Sequence, residues 1–348
     1  GGRFGGSCCA HHFTCDCLDP AGRRELNVSF GRATTEIICV IVFAFLTYAY
    51  LLRLERQLIA HLGLRGGRWR ALWPVADAAR ALAKPGLWPA GWRRLAWGGG
   101  ALLALAAALA MLALAPLGAL TWGGAARDLT LLRFEQGLAV FFVLDGLSLA
   151  AMLIGARAWN LDNVLARARS LARAGLRYGL VALLAVAGAA LLAGSLDLEC
   201  IALAQAMFPY LLYQPLSALL LAIALIAGGR RLPFDLPGAG DPTLADFHLQ
   251  HAGGPLAMYH LAEYARLLAG GALWATLYLA GPNGPWLDGP HWLAAKTVLV
   301  AAALLWLRRR WLWPQGERLA ENGWLILLAL GALNVALTWA LAIWRPWL

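Results

Sequence analysis

"AQAMFPYLLYQPLSALLLAIALIA", residues 204–227, is followed after two glycines by "RRLPFDLPGAGDP", residues 230–242. The first stretch carries no charge and is as long as the roughly 20 apolar residues a helix needs to cross a bilayer. The second sets an arginine pair, an aspartate flanked by prolines and a run of small residues against its end. An uncharged run of this length suits either the core of a large soluble protein or a membrane span, and the rest of the chain decides between them.

Seven further apolar runs occupy residues 35–52, 96–120, 131–154, 180–195, 256–280, 291–307 and 323–343. The 348 residues are 61% hydrophobic and 14% charged, against about 45–50% and about 25% in a soluble domain. Several runs contain Gly, Ala and Thr, which let membrane helices approach closely. The chain is therefore expected to be an all-α integral membrane protein with about eight transmembrane helices and amphipathic helices in the inside loops. Residues 1–34 read as a polar, Cys- and His-containing extension, and residues 35–348 as the eight-helix membrane domain. No internal repeat or soluble domain is visible, and residues 33–52 read as a retained span rather than a secretory signal.

The net charge of +10 follows the loops and points to no nucleic acid partner. Arg53, Arg56, Arg65, Arg68, Arg70, Arg80, Lys84, Arg93 and Arg94 lie between the first two spans. Arg157, Arg167, Arg169, Arg173 and Arg177 precede the fourth, Arg230 and Arg231 follow the fifth, and Arg308, Arg309, Arg310 and Arg318 follow the seventh. The opposite loops offer only Arg127. This positive-inside asymmetry places the basic loops on the cytoplasmic or matrix side and the N-terminus on the other. In "RALWPVADAARALAK", residues 70–84, Leu72, Val75, Ala79 and Leu82 share one helical face, and Asp77, Arg80 and Lys84 populate the other. Such a segment lies at a membrane interface or supports a docked partner.

Ionisable residues in or beside spans are costly and are candidates for function. They are Glu55 and Arg56 at the end of span one, Asp145 in span three, Asp235, and Glu263 with His260 in span six. Each has a structural alternative. Glu55–Arg56 can snorkel at the interface, and Asp235 can cap a helix or pair with Arg231. Glu263 is kept neutral, pairs with Arg266, or relays protons. The N-terminal Cys8, Cys9, His11, His12, Cys15 and Cys17 fit no regular zinc spacing, so no metal site is assigned. No nucleotide loop and no Ser/His/Asp nucleophile pattern stands out, so a site shared with other subunits is expected.

Several motifs together resemble one family. "AYLLRLERQLIAHLGLR" (49–65), "LWPVADAARALAK" (72–84), "LLAGSLDLECIALAQ" (191–205), "QPLSALLLAIALIAGGRRLPFDLP" (214–237), "YHLAEYA" (259–265), "WLAAKTVLV" and "NGWLILLALGALNVALT" are similar to the membrane subunit 1 of NADH–quinone oxidoreductase (complex I), lettered H in bacteria. The resemblance implies a subunit at the junction of the membrane and hydrophilic arms. Such a subunit forms the quinone-access chamber and contributes to NADH:ubiquinone oxidoreduction coupled to proton translocation. It implies an enzyme subunit with no redox centre of its own, with ubiquinone-type quinone as substrate and NADH, FMN and Fe–S clusters in partner subunits. Its partners would be the other complex I subunits and lipid, in a mitochondrial inner or bacterial cytoplasmic membrane.

Carried over by residue, Asp235, Glu263, Glu55 and Asp145 become candidates for proton coupling. Arg56, Arg65, Trp73, Asp77, Arg231 and Phe234 become candidates for contact with quinone. The chain also departs from the family. Arg177-Tyr178-Gly179 stands where the family has Ser-Tyr-Glu, Gly228-Gly229-Arg230-Arg231 where it has Glu-Thr-Asn-Arg, and Gly238, Gly240 and Pro242 replace alternating glutamates. With fewer loop carboxylates the chamber would be more positive, and coupling would fall to the remaining acids or to neighbouring subunits. Two other readings stay open: the membrane anchor of a membrane-bound hydrogenase or formate hydrogenlyase, and a structural anchor without a coupling role.

Overall fold

The computed structural model describes residues 38, 40–47, 49–51, 91–122, 125–128, 130–158, 162–205, 208–229, 254–284, 288–307 and 323–344. Within them the protein is mostly helical. In chain order the elements are α1 (Val40–Leu51), α2 (Trp92–Ala113), a hairpin of β1 (Ala119–Trp122) and β2 (Ala125–Asp128), α3 (Gly137–Arg157) and α4 (Asp162–Ala193). There follow α5 (Leu198–Leu203), α6 (Tyr210–Tyr213), α7 (Pro215–Ala227), α8 (Gly254–Tyr278), α9 (Pro290–Leu307) and α10 (Trp324–Trp344). Each of the eight apolar runs contains a helix. Four of these, α2, α3, α4 and α9, are long and apolar enough to cross a membrane, while α1, α7 and α10 are shorter apolar helices. Many large apolar side chains face outward, among them Val143, Leu212, Leu299 and Ile326; lipid or neighbouring subunits accept these where water would not.

The structure differs from the sequence reading in several places. Span two stops at Ala113, and β1 and β2 pair antiparallel with Ala119 opposite Asp128 and Trp122 opposite Ala125. The fourth helix starts well before residue 180. Its first half is the arginine-bearing stretch that reads as loop, folded as an amphipathic helix with Val164, Ala168, Leu171 and Ala172 buried and Arg169, Arg173 and Arg177 exposed. At 1.5 Å per residue its 32 residues extend about 48 Å, well beyond the ~30 Å hydrocarbon core, and Arg177 lies 5.4 Å from the centre of the Trp324 ring.

Third, the run at 204–227 is not one helix. Pro209 and Pro215 break it into short α6 and the 13-residue α7, because proline lacks an N–H and its ring clashes with the preceding turn. Irregular backbone at membrane depth must find partners within the protein, and Gln205 supplies them. Its Oε1 accepts from the N–H groups of Tyr210 (3.2 Å) and Ala280 (3.0 Å), and its Nε2 donates to the carbonyls of Ile201 (3.0 Å) and Thr276 (2.8 Å).

α8 holds the bundle together. It packs against α2 and α9, and also touches α4, α5, α6 and α7. Sixteen of its residues are buried, Tyr259, Tyr264, Thr276 and Tyr278 among them. Small residues allow that approach. A Cβ at Gly155 of α3 would overlap the Tyr259 hydroxyl, and one at Gly100 of α2 would stand 2.8 Å from the Ala151 carbonyl. Gly155→Val should therefore destabilise the α2–α3–α8 packing by the 1–3 kcal/mol, roughly, of an overpacked core, seen as a lower thermal midpoint of the purified protein.

Buried polar bonds stitch the far end of the bundle. Ser217 and Tyr278 share a 2.7 Å hydrogen bond beside the Ala185 carbonyl, and Gln214 Nε2 donates to Thr338 Oγ1 at 2.8 Å. Lys296 Nζ donates to the carbonyls of Leu279 (2.7 Å), Gly281 (2.9 Å) and Asn283 (2.6 Å). A cation suits the carbonyls that a helix C-terminus leaves open. Lys296→Met keeps the stem but not the charge, and should cost about 1.5–3 kcal/mol, measured as a fall in thermal midpoint without loss of helix content. At the same end, Arg133 bridges Asp197 (3.3 Å) and Glu199 (2.9 Å), joining the segment before α3 to the start of α5. Burial pulls the Arg133 pKa down, but the Glu199 and Asp197 carboxylates outweigh it and leave it raised. The sequence reading assigns Arg133 to span three; it lies in the loop ahead of α3.

Candidate functional site

The candidate site lies at the end of the bundle where α7 finishes, opposite the Lys296 cap. α7 closes on Gly228, whose N–H bonds back to the Ala224 carbonyl at 2.8 Å. α3 brings Asp145, α8 brings Glu263 and Arg266, and α4 brings Tyr178. They surround a cavity of ≈ 60 Å³ walled by Phe141, Phe142, Leu221 and Leu267. At about 10–15 Å³ per water, it has room for a few water molecules.

Arg266 organises the cavity. Its guanidinium donates to Asp145 through Nε to Oδ1 and through Nη2 to Oδ2 at 3.1 Å, and its Nη1 donates to the Gly228 carbonyl at 2.7 Å. One side chain thus ties α8 to α3 and to the last turn of α7. The planar fork of arginine aims two nitrogens at the carboxylate and a third at the carbonyl, where lysine would bring a single nitrogen. The Asp145 and Arg266 side chains are 16% and 15% exposed, an environment in which an unpaired charge would be costly. Glu263 is 13% exposed, and its Oε2 lies 4.0 Å from His260 Nδ1, one turn earlier on α8.

Of the sequence candidates, Asp145 and Glu263 meet here, although 118 residues of chain separate their numbers. Glu55, Arg56, Arg65, Trp73, Asp77, Arg231, Phe234 and Asp235 lie outside the described residues. The sequence reading weighs Arg266 as a partner for Glu263, one turn away on α8; the structure pairs it with Asp145, 121 residues distant. Tyr178 enters the sequence reading only as the middle of a motif whose flanks depart from the family, and it is buried against the cavity. Among the described residues no group of three or more His, Cys, Asp and Glu could hold a metal ion, and the N-terminal Cys/His cluster lies outside them.

A helical bundle with lipid-compatible faces, a part-buried carboxylate–guanidinium pair and a second carboxylate in one largely apolar cavity defines an integral membrane protein with an ionisable interior. Residues 35–339 match the NADH dehydrogenase family. Similar proteins include the NADH-quinone oxidoreductase H subunit, form 2, of Syntrophobacter fumaroxidans, 32% identical over 316 residues, covering 89% of this chain and 95% of that protein. The H subunit of Thermomicrobium roseum is 33% identical over 320 residues, covering 85% and 92%. The H subunit, form 1, of Geobacter metallireducens is 31% identical over 309 residues, covering 86% and 94%. The chain belongs to the NADH dehydrogenase family of membrane subunits.

Proposed function

We propose that the chain is the subunit of an NADH–quinone oxidoreductase that forms the quinone-access chamber where the membrane and hydrophilic arms meet, and that it helps couple quinone reduction to proton translocation. The observation that carries this reading is the cavity itself: two carboxylates and an arginine, from α3 and α8, face a water-sized space at the end of α7. Buried ionisable groups in a membrane bundle are what proton transfer needs and what packing alone does not. In this reading Glu263 carries the proton in the described part, and Asp145 contributes by holding Arg266 against the same cavity. Asp235 and Glu55 extend the acids, and Arg56, Arg65, Trp73, Asp77, Arg231 and Phe234 contact the quinone. The NADH, FMN and Fe–S chemistry belongs to partner subunits. The basic loops face the hydrophilic arm, and the N-terminus faces outward.

A photoactivatable short-chain benzoquinone, added to the purified complex, tests the proposal. Labelled peptides should map to α3, α8 and the 230–242 stretch, with labelling suppressed by excess unlabelled quinone. Asp235→Asn should lower NADH-to-quinone turnover about tenfold while the complex still assembles, the equivalent of about 1.4 kcal/mol of lost stabilisation. Labelling confined to lipid-facing residues, with unchanged turnover in the variant, would reject the chamber. Co-purification with a [NiFe]-type module in place of an NADH-oxidising one would favour the hydrogenase-type anchor.

A further inference from the structure

We infer that Arg266 is a positioning residue: held in register by Asp145, it pins the end of α7 through the Gly228 carbonyl and so sets the wall of the cavity that Glu263 faces. This rests on the chamber reading and adds a role for one pair within it. The geometry is specific. The carboxylate takes Nε and Nη2, which leaves Nη1 directed at the one carbonyl that closes α7. That carbonyl has few intrahelical claims on it, since the last four C=O groups of a helix lack partners within it. Gly228 and Gly229 both line the cavity, and a Cβ on Gly228 would stand 3.7 Å from Arg266 Nη2, ordinary contact distance. Directly beyond Gly229 the sequence continues as Arg230-Arg231-Leu232-Pro233-Phe234-Asp235.

Asp145 in this scheme orients a cation and does not hand on protons. A carboxylate whose two oxygens are both occupied by one guanidinium is a hinge pin between α3 and α8. Glu263, which shares the cavity but sits beside His260, is left as the group whose proton moves.

Two variants of the assembled complex separate positioning from stability. Asp145→Leu combined with Arg266→Met removes both charges, so no charge is stranded and the complex should assemble at near wild-type yield. The clamp on Gly228 is lost, so KM for a short-chain benzoquinone should rise about tenfold with kcat changed less than twofold, the pattern of lost substrate positioning without lost chemistry. Arg266→Lys keeps a cation for Asp145 but not the fork that reaches Gly228 as well, and should raise KM in the same direction, about fivefold. Electron transfer from NADH to a hydrophilic artificial acceptor serves as the control for the rest of the complex and should not change. Wild-type KM in both variants would overturn the clamp. Glu263→Gln, run alongside, keeps the two ideas apart. If it lowers quinone turnover while the clamp variants behave as wild type, the clamp alone fails. If none of the three alters quinone kinetics, the chamber reading itself fails.

Discussion

Arg266→Ala, made alone, should remove most of the assembled protein from the membrane. The substitution takes the guanidinium away from the Asp145 carboxylate, 16% exposed, and at the same time unties the Gly228 carbonyl. Removing one partner of a fully buried ion pair costs about 3–5 kcal/mol, and this pair, 15–16% exposed, falls at the low end of that range. A domain's whole stability is only about 5–15 kcal/mol, so the loss is a large share of it. The effect should be strongest in intact complex, where partner subunits restrict rearrangement, and it is read as the amount of complex on a native gel and as its thermal midpoint. Asp145→Ala should also be damaging, since the guanidinium then loses its carboxylate while keeping the Gly228 carbonyl. The discriminating arm is the double apolar variant: if the cost is stranded charge, removing both groups recovers most of the yield that either single change loses. Additive losses would mean that the two side chains act independently, and the pair would then be two separate packing contacts.

The residues explain why part of this was legible in the sequence and part was not. Length and composition suffice to find membrane-compatible helices, and all eight runs contain one. Helix breaks at Pro209 and Pro215 were also written in the sequence, but hydropathy averages over them. Only the structure shows Gln205 satisfying the backbone on both sides of the gap. The first half of α4 misleads for the opposite reason. Its arginines read as loop because a positive-inside count treats charge as non-membrane, whereas an amphipathic helix can carry that charge on one face and bury Val164, Ala168 and Leu171 on the other.

The site was half visible. Asp145 and Glu263 stand out as acids inside apolar runs, which is a local signal. That Arg266 serves Asp145 is a contact across 121 residues, and no spacing rule on α8 alone reaches it. An opposite charge in the i+3 position made Glu263 the nearer candidate. The available clue was that Asp145 is the single charge in the run 131–154 beyond its basic and acidic start, and so needs a partner from another span. The remaining named positions, from Glu55 to Asp235, rest on the motifs that suggested them.

Glu263→Gln is the sharpest expected functional result. The amide is nearly isosteric, so packing around α8 and the neighbourhood of His260 should survive and the complex should assemble normally. What disappears is a group able to gain and lose a proton, on a side chain that is 13% exposed. Loss of a positioned acid–base group typically lowers a proton-transfer step by about 10²–10⁴-fold, so NADH-to-quinone turnover in reconstituted vesicles should fall by about 100-fold or more, together with the pH gradient it builds. Glu263→Asp retains the carboxyl but withdraws it by one methylene, and should keep part of both activities. His260→Ala separates the bland explanation from the chemical one. If Glu263 serves only to pair with His260, removing either partner should cost similar, small amounts of stability and leave turnover intact. If Glu263 carries protons, its amide variant should be far more damaging than loss of a histidine that is 36% exposed. Equal, mild effects from the two substitutions would assign Glu263 to structure and leave proton transfer to acids elsewhere in the complex.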